Sequence, residues 1–228
     1  MKVRRTPKPG PRNALYAQSG GVTAVINATA SASSSFGDAP SAVNPSPTRT
    51  SEPSTPASIE QWVRRIAEKD QGRSRSVDAY ILDNEPSLWN STHRDVHPDP
   101  TGYDELLERT IAYGSAVHRA DPGAKVAGPA EWGWLGYHYS ARDVAAGVLL
   151  RPDRRQHGDE PLIPWYLRKI REHEQKTGSK ILDILDVHFY PMADGMGIGT
   201  QGRTDPAAAA LRLRSTRSLW DATYVDES

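Results

Sequence analysis

Short apolar runs alternate with amphipathic segments along residues 57–228 of this sequence. The runs Val77–Asp83, Lys125–Pro129 and Ile181–Tyr190 are rich in aliphatic residues and have the length of buried strands. A helix between two such strands returns the chain to the same edge of a sheet, so the strands run parallel. The alternation therefore predicts the α/β class, with a parallel sheet or barrel at its centre.

Four segments have apolar residues at helical spacing. Thr55 is a suitable N-cap, Pro56 fits the first helical position, and the apolar residues from Ile59 to Ile66 then lie on one face. Gly178 ends the third segment, because glycine adopts the left-handed conformation that closes a helix. The predicted helices begin near Pro56, Thr101, Leu162 and Ala207.

Residues 1–56 differ in composition from residues 57–228. The first region is rich in proline and serine and has too few apolar residues to offset chain entropy in a packed core. We predict a low-complexity or disordered region over 1–56 and a folded domain over 57–228. Within the first region, Asn13–Ala30 resembles the extreme N-terminus of pyrophosphate-dependent phosphofructokinases, which implies a phosphate loop at Gly20-Gly21. The simpler interpretation is a strand, a turn and a helix without that function, because no second phosphate loop follows.

The charged residues balance, with 28 Lys+Arg against 28 Asp+Glu. No net field would therefore draw the chain to nucleic acid or to an anionic membrane, and neither is expected as a partner. No apolar run approaches the roughly 20 residues that span a bilayer, and the basic start Met1–Arg5 leads into prolines rather than a signal-peptide core. The sequence has no cysteine, which excludes disulfides and thiolate sites.

The tripeptide Asn84-Glu85-Pro86 directly follows the first predicted strand. Barrel enzymes of the βα type carry their catalytic groups at the C-terminal ends of strands, so Glu85 is a candidate general acid or base. Asp83 would point away from Asn84 in a regular strand, and we assign it a structural role. The alternative is that Asn-Glu-Pro is an ordinary strand-ending sequence without a catalytic role. The neighbouring residues decide between the catalytic and the structural interpretation.

Aromatic side chains follow the ends of all three predicted strands. Aromatic faces stack on pyranose rings while polar groups bond the hydroxyls, so an aromatic rim at one mouth suits a polysaccharide. The alternative is that these side chains fill the barrel or pack beneath helices. The predicted rim consists of Trp89, Trp132, Trp134, His188 and Tyr190.

Five ordered blocks of the sequence resemble glycoside hydrolase family 44. They are Tyr80–Leu106, which contains Asn-Glu-Pro, Gly128–Asp143, Arg151–Leu167, Leu182–Pro191 and Thr216–Ser228. The resemblance implies a retaining endo-β-1,4-glucanase or xyloglucanase with a (β/α)₈ barrel and an attached β-sandwich. Because a complete barrel takes about 250 residues, we expect a partial (β/α)₈ TIM barrel of about three to four βα units here.

The resemblance also implies roles for single residues. Glu85 matches the acid/base glutamate of the family. Asn84, by analogy with related barrel glycosidases, would bond the sugar 2-hydroxyl next to the reacting centre. His188 and Tyr190 would orient the nucleophile or the sugar. Glu131 is a further acid beside the cleft, for which we expect a structural ion pair.

The nucleophile of the family lies on a later strand than the block Thr216–Ser228, so we expect it to be missing from this chain. Glu227 belongs to that preceding block and is not expected to replace it. An open piece of barrel exposes two sheet edges, and we predict that the isolated chain is unstable and inactive or nearly so. A non-catalytic carbohydrate-binding fragment is the alternative function, and a phosphofructokinase-related piece is the third.

No cofactor is expected. A structural calcium ion is compatible with the family. No protein metal site is predicted from His93 and His97, because Pro98 and Pro100 prevent a helical two-histidine arrangement. The expected partner is a β-glucan polysaccharide and the expected state a monomer. Members of the family are usually secreted, but this chain shows no signal peptide, so its localisation is left open.

Overall fold

A parallel three-stranded sheet lies at the centre of the first of two units in the computed structural model, which describes residues 53–69, 77–190 and 203–227. The strands are β1 (Ala79–Ile81), β2 (Lys125–Glu131) and β3 (Ile184–Val187), in the order β1-β2-β3. Both pairs are parallel, with Tyr80 opposite Val126 and Ala127 opposite Ile184. The α/β arrangement and the parallel direction predicted from the alternation are confirmed.

Seven α-helices are described in this first unit, Met1–His188. The long ones match three predicted helices, whereas the short ones of four to six residues were not predicted, because a segment of that length shows little helical periodicity. A 3₁₀ turn, Pro86–Leu88, follows β1. The helices are α1 (Pro56–Lys69), α2 (Trp89–Thr92), α3 (Tyr103–Ala120), α4 (Trp134–His138), α5 (Ala141–Ala146), α6 (Pro152–Gln156) and α7 (Leu162–Thr177).

The ends of the long helices follow from local hydrogen bonding. Thr55 Oγ1 accepts a hydrogen bond from the Ser58 amide at 3.1 Å, which confirms it as the cap of α1. Gly178 closes α7 with a left-handed φ of 70°, as predicted. The start of α3 is capped from a distance, because the Tyr103 amide donates to Asp153 Oδ2 at 3.1 Å. That long-range cap explains why α3 begins two residues after the predicted Thr101.

The core lies between the sheet and the three long helices. Strand β2 is buried from Val126 to Glu131, since it is flanked by a strand on each side. Helix α3 approaches the start of β3 closely at Gly114, where a Cβ atom would lie 2.8 Å from the Ile181 carbonyl oxygen. The largest fully buried apolar side chains are Tyr80, Tyr103, Tyr166, Leu162, Ile181, Val63, Val117 and Val126.

Strand β3 lies at one edge of the sheet and is largely exposed. Ile184, Leu185 and Val187 are 37 to 43% exposed although all three are apolar. Among the described residues no further strand pairs with the outer side of β3. An apolar edge strand of this kind is normally covered in a complete parallel fold.

The second unit, Phe189–Ser228, contains one α-helix in its described part. Helix α8 (Pro206–Ser215) is capped by Asp205, whose carboxylate accepts from the amides of Ala207 and Ala208, and a 3₁₀ turn (Thr216–Leu219) follows. The helix predicted over Ala207–Leu219 is therefore divided in two. Throughout the described ranges, no helix has the length and apolarity needed to cross a membrane. The predicted features of Asn13–Ala30 and the predicted disorder before residue 53 lie outside the described residues.

Candidate active site

The backbone at the C-terminal end of the sheet is held in unusual conformations. Asp83, Glu85 and Ala130 all have left-handed φ angles, of 56°, 50° and 56°, and none of them is glycine. The Glu85 amide donates to the Ala130 carbonyl at 2.9 Å, and the pairing of β2 with β3 is irregular between Pro129 and Glu131. Left-handed non-glycine residues cost of order 1 kcal/mol each and concentrate at functional sites. The loop that carries the predicted acid/base is thus held by the end of β2.

Glu85 and His188 form a contact across the end of the sheet. Glu85 Oε1 lies 2.7 Å from His188 Nδ1, and both side chains are about one quarter exposed. The backbone of β2 holds both residues, because the Glu131 carbonyl accepts from the His188 amide at 2.7 Å while Ala130 accepts from Glu85. The structure therefore brings together two of the predicted site residues, with His188 in contact with the predicted acid/base, Glu85.

Glu131 is a second carboxyl group at this end of the sheet, and it is fully buried. Its Oε1 accepts from the Trp132 amide at 2.9 Å, and no hydrogen bond is formed by its Oε2 within the described residues. Burial and the neighbouring Glu85 charge raise the pKa of Glu131 to about 7, although the Trp132 amide, the Ser87 hydroxyl and the His188 charge act to lower it. The structural ion pair expected for Glu131 is not formed with any Lys or Arg of the described ranges.

Trp89 does not lie on the rim that the sequence predicted. Its side chain is only 2% exposed, so its ring faces are not available to a sugar. Its Nε1–H donates to the Asn84 carbonyl at 3.1 Å, and its ring packs edge-on against His97 at 5.3 Å. The stacking role predicted for Trp89 is therefore corrected to a structural one, because the chain turns into α2 and carries the indole inward beneath the Glu85 loop.

A group of polar side chains supports Trp89, and two of them, Glu105 and Arg109, belong to α3. His97 Nε2 lies 2.8 Å from Glu105 Oε1, and Arg109 binds the same carboxylate at 2.8 Å. The Arg109 guanidinium also lies 5.7 Å from the centre of the Trp89 ring, within the range of a cation–π contact. Sequence reasoning missed this group, because its members are separated in the sequence and carry no motif.

Helix α4 carries the exposed aromatic surface of the site. Trp134 is 71% exposed and packs against His138 at 4.7 Å and Tyr137 at 6.2 Å between ring centres, while Trp132 before the helix is half-buried. The Tyr137 hydroxyl donates to the carbonyl of His188. Tyr137 was not predicted, although its place in the Trp-Leu-Gly-Tyr-His run beside Trp134 is a usable signal. These contacts place exposed rings on the helix that holds His188.

Two further predicted residues differ in how they are placed. Asn84 is half-buried, and its backbone N–H donates to Asp83 Oδ1 at 2.7 Å. Asp83 is itself 97% buried, in keeping with the structural role assigned to it. Tyr190 is exposed and belongs to the second unit.

Among the described residues, no group of three or more His, Asp or Glu side chains could hold a metal ion.

Comparisons with known proteins agree on one family. The sequence profile described as "Glycoside hydrolase family 44" matches residues 16–193. The chain is 36% identical over 152 residues to a beta-mannanase/endoglucanase A of Caldicellulosiruptor saccharolyticus, covering 65% of this chain and 11% of that protein. It is also 36% identical over 159 residues to endoglucanase A of Paenibacillus lautus, covering 68% and 22% respectively.

Solved structures give the same result. A bifunctional glucanase-xylanase from a metagenome library superposes with a TM-score of 0.69 at 38% identity, over 80% of this chain and 35% of that one. A xyloglucanase of Paenibacillus polymyxa superposes with a TM-score of 0.59 at 31% identity, over 74% and 32%. This chain thus spans about a third of the solved relatives and about a tenth to a fifth of the curated ones.

Proposed function

This chain belongs to glycoside hydrolase family 44 and is a glycosidase by family, and we propose that its first unit carries the acid/base part of a retaining β-1,4-glucanase or xyloglucanase active site. The observation that carries the proposal is the Glu85–His188 contact at the C-terminal end of the sheet. Endoglucanase and xyloglucanase are the names of relatives, and they support the same class of polysaccharide here.

The proposed chemistry follows from the position of Glu85. As a carboxylic acid it donates its proton to the glycosidic oxygen, and as a carboxylate it then removes a proton from the incoming water. His188, 2.7 Å away, orients the carboxyl group. Asn84, the preceding residue, is proposed to bond the sugar 2-hydroxyl. Trp134, with Trp132 beside it, is proposed to stack on a neighbouring sugar ring.

The nucleophile is proposed to lie on a barrel strand outside the residues that the structure describes. A retaining enzyme needs a second carboxylate about 5 to 5.5 Å from the first, facing the sugar. Glu131 neighbours Glu85 but is fully buried, so it cannot reach an anomeric carbon. Glu227 is engaged by Arg214 at 2.6 and 2.8 Å within the second unit, and these bonds, first among the causes, lower its pKa to about 2. Neither fits the role.

The fold is proposed to be three to four βα units of a (β/α)₈ barrel, with the folded domain over residues 57–228. The exposed apolar residues of β3 support further strands beyond that edge in the complete barrel. The family profile begins at residue 16, within the region predicted as low-complexity, so the boundary near residue 57 remains a prediction. The proposed partner is a β-glucan, bound by a monomer.

Chemical modification tests whether Glu85 lies in a glucan site. Carbodiimide coupling of glycine ethyl ester labels accessible carboxyl groups, and mass spectrometry reports each one. We expect cello-oligosaccharide or xyloglucan oligosaccharide to protect Glu85, whose side chain is 22% exposed, while Glu172 at 49% stays labelled as the internal control. Equal labelling of Glu85 with and without saturating oligosaccharide would contradict the proposal.

The indole N–H signals of the chain test the aromatic surface in the same titration. The indole signal of Trp134, which is 71% exposed on α4, should shift on binding, whereas that of buried Trp165 should not. Trp134→Ala should weaken binding, and Trp62→Ala, on the exposed face of α1, is the matched control. Binding that survives Trp134→Ala unchanged would remove Trp134 from the site.

A further inference from the structure

A carboxylic acid that the proposed mechanism does not use lies behind the acid/base. Glu131 is completely buried at the end of β2, with one carboxylate oxygen bound by the Trp132 amide at 2.9 Å. Its other oxygen is buried and forms no well-aligned hydrogen bond in the part of the chain that the structure describes, although the Ser87 hydroxyl lies near the carboxyl group. A buried carboxylate normally has partners for both oxygens, since a buried charge without them is strongly destabilising. The arrangement therefore favours the neutral acid.

Helix α4 packs directly on the Glu131 carboxyl group and buries it. A Cβ atom on Gly136 of α4 would lie 2.3 Å from Glu131 Oε1, so glycine lets the helix backbone pack directly on the carboxyl group. The polar side chains of Ser87, Thr101 and Ser140 lie around the same gap as Glu131, which has no room for a water molecule. The hydroxyl of Thr101 there is also buried without a partner among the described residues. Glu131 is thus enclosed by α4 and by these polar residues.

The backbone at Glu131 and Ala130 holds Glu85 and His188 by hydrogen bonds. Its own carbonyl accepts from the His188 amide at 2.7 Å, and the carbonyl of the preceding Ala130 accepts from the Glu85 amide at 2.9 Å. A change of volume or charge at Glu131 would therefore alter the positions of Glu85 and His188, which contact each other next to it.

The charged groups that face Glu131 are Glu85, from the loop after β1, and His188, from the end of β3. Trp132 and Ser87 contribute hydrogen bonding, and Gly136 covers the carboxyl from α4 without a charge. The Glu85 charge acts to raise the pKa of Glu131 and the His188 charge acts to lower it, while burial is the largest cause of the rise to about 7. The two neighbours thus influence Glu131 with opposite signs.

We propose that Glu131 is a positioning residue of the acid/base site, which stays neutral while Glu85 is ionised and so lets Glu85 exist as a carboxylate beside His188. Its catalytic meaning rests on the proposed function of Glu85, which must alternate between acid and carboxylate in a retaining cycle. A second negative charge directly behind Glu85 would oppose the carboxylate state. A buried acid with a raised proton affinity avoids that charge and still fills the space under α4.

The experiment is a carboxyl-carbon NMR titration of the full chain labelled at the glutamate side chains. We expect the Glu131 resonance, assigned by its loss in Glu131→Gln or by through-bond correlation if that variant does not fold, to have a midpoint near pH 7. Glu85→Gln removes a negative neighbour and should lower the midpoint by roughly one pH unit, whereas His188→Gln removes a positive neighbour and should raise it. Glu174→Gln, a change in another glutamate that lies at the opposite end of the sheet, should leave it unchanged.

Opposite shifts in the Glu85 and His188 variants would establish the coupling, which burial alone does not produce. A Glu131 midpoint near the ordinary value of 4.5, or a high midpoint that neither variant moves, would overturn the proposal. The titration uses no substrate. Failure of glucan binding would therefore contradict the proposed function while leaving this result intact, and an uncoupled Glu131 would leave the role of Glu85 standing.

Discussion

His188 Nδ1 lies 2.7 Å from Glu85 Oε1, although 103 residues separate the two in the sequence. They belong to the ends of β1 and β3, which are not neighbours in the sheet, and the contact therefore passes over the end of β2. It requires three parallel strands of matching register and a loop after β1 that bends toward β2. The left-handed Glu85, whose amide donates to Ala130, supplies that bend.

The purified chain should show no measurable turnover of carboxymethylcellulose or xyloglucan in a reducing-sugar assay. The reason is that retaining hydrolysis needs an exposed second carboxylate, and Glu131, the acid next to Glu85, is buried. Glu85→Gln is the matched control for contaminating activity, and both proteins should give the same background. Robust turnover that Glu85→Gln abolishes would show that a nucleophile is present after all.

The sheet and the long helices could be predicted from the sequence because they follow from periodicity and from local end signals. Thr55 and Gly178 act through neighbours only a few residues away, so the pattern itself contains their effect. Strand lengths could not be predicted as well. Strand β1 ends at Ile81, because Asp83 and Glu85 adopt left-handed conformations. The identities of these two residues are not enough to predict those conformations.

The candidate site could be predicted only where position along a strand decides the outcome. Glu85 and His188 follow strand ends, and parallel strands bring such residues to one edge. Trp89 follows a strand end too, but whether its indole faces solvent or the core depends on α3, which supplies Glu105 below it. The burial of Glu131 likewise depends on how closely α4 packs, which is a matter of tertiary structure.

Trp89→Phe should destabilise the loop that carries Glu85. The change removes the indole N–H that donates to the Asn84 carbonyl at 3.1 Å, and losing a hydrogen bond to this half-buried residue costs about 1 kcal/mol of unfolding free energy. Urea unfolding measures the cost, and hydrogen exchange of the Glu85 amide, which donates to Ala130, reports the loop directly.

The control for that variant is Trp165→Phe. Trp165 is equally buried but packs through ring contacts with Tyr103 and His157. It should lose stability without faster exchange at Glu85. Equal exchange rates in the two variants would mean that the Trp89 hydrogen bond does not hold the loop.

Gly136→Ala should destabilise the first unit by about 1 to 3 kcal/mol, because the new methyl group would lie 2.3 Å from Glu131 Oε1 and force α4 outward. Gly133→Ala is the matched control, since a Cβ there meets nothing within 4 Å. Chemical denaturation of both variants gives the comparison. Adding Glu131→Ala should offset part of the cost, as expected for directly contacting residues, and strictly additive losses would contradict the contact.

Glu131 should also give the stability of the chain a defined dependence on pH. In the unfolded chain the carboxyl ionises near 4.5, whereas in the folded state burial, followed by the Glu85 charge, raises its pKa to about 7. Below the unfolded value the group is neutral in both states and its contribution is fully present. Between the two values the folded state binds more protons, so the free energy of unfolding falls as pH rises, by up to about 3 kcal/mol.

Two glutamine variants separate this effect from the other carboxyl groups. Glu131→Gln stays neutral, so its stability relative to the unmodified chain should rise between about pH 5 and about pH 8.

Glu174→Gln should show the opposite trend, because its stability relative to the unmodified chain should rise as the pH falls below the unfolded value of 4.5. Burial acts to raise the pKa of Glu174, but hydrogen bonds from the amides of Ile181 and Leu182, together with Lys180, outweigh it and lower the pKa. Its contribution is present above the unfolded value and is lost as pH falls through the folded one. Urea unfolding between about pH 5 and about pH 8 measures the Glu131 effect, and its extension below pH 4.5 measures the Glu174 effect. A Glu131→Gln curve that runs parallel to that of the unmodified chain would show that the buried acid ionises as an ordinary glutamate does.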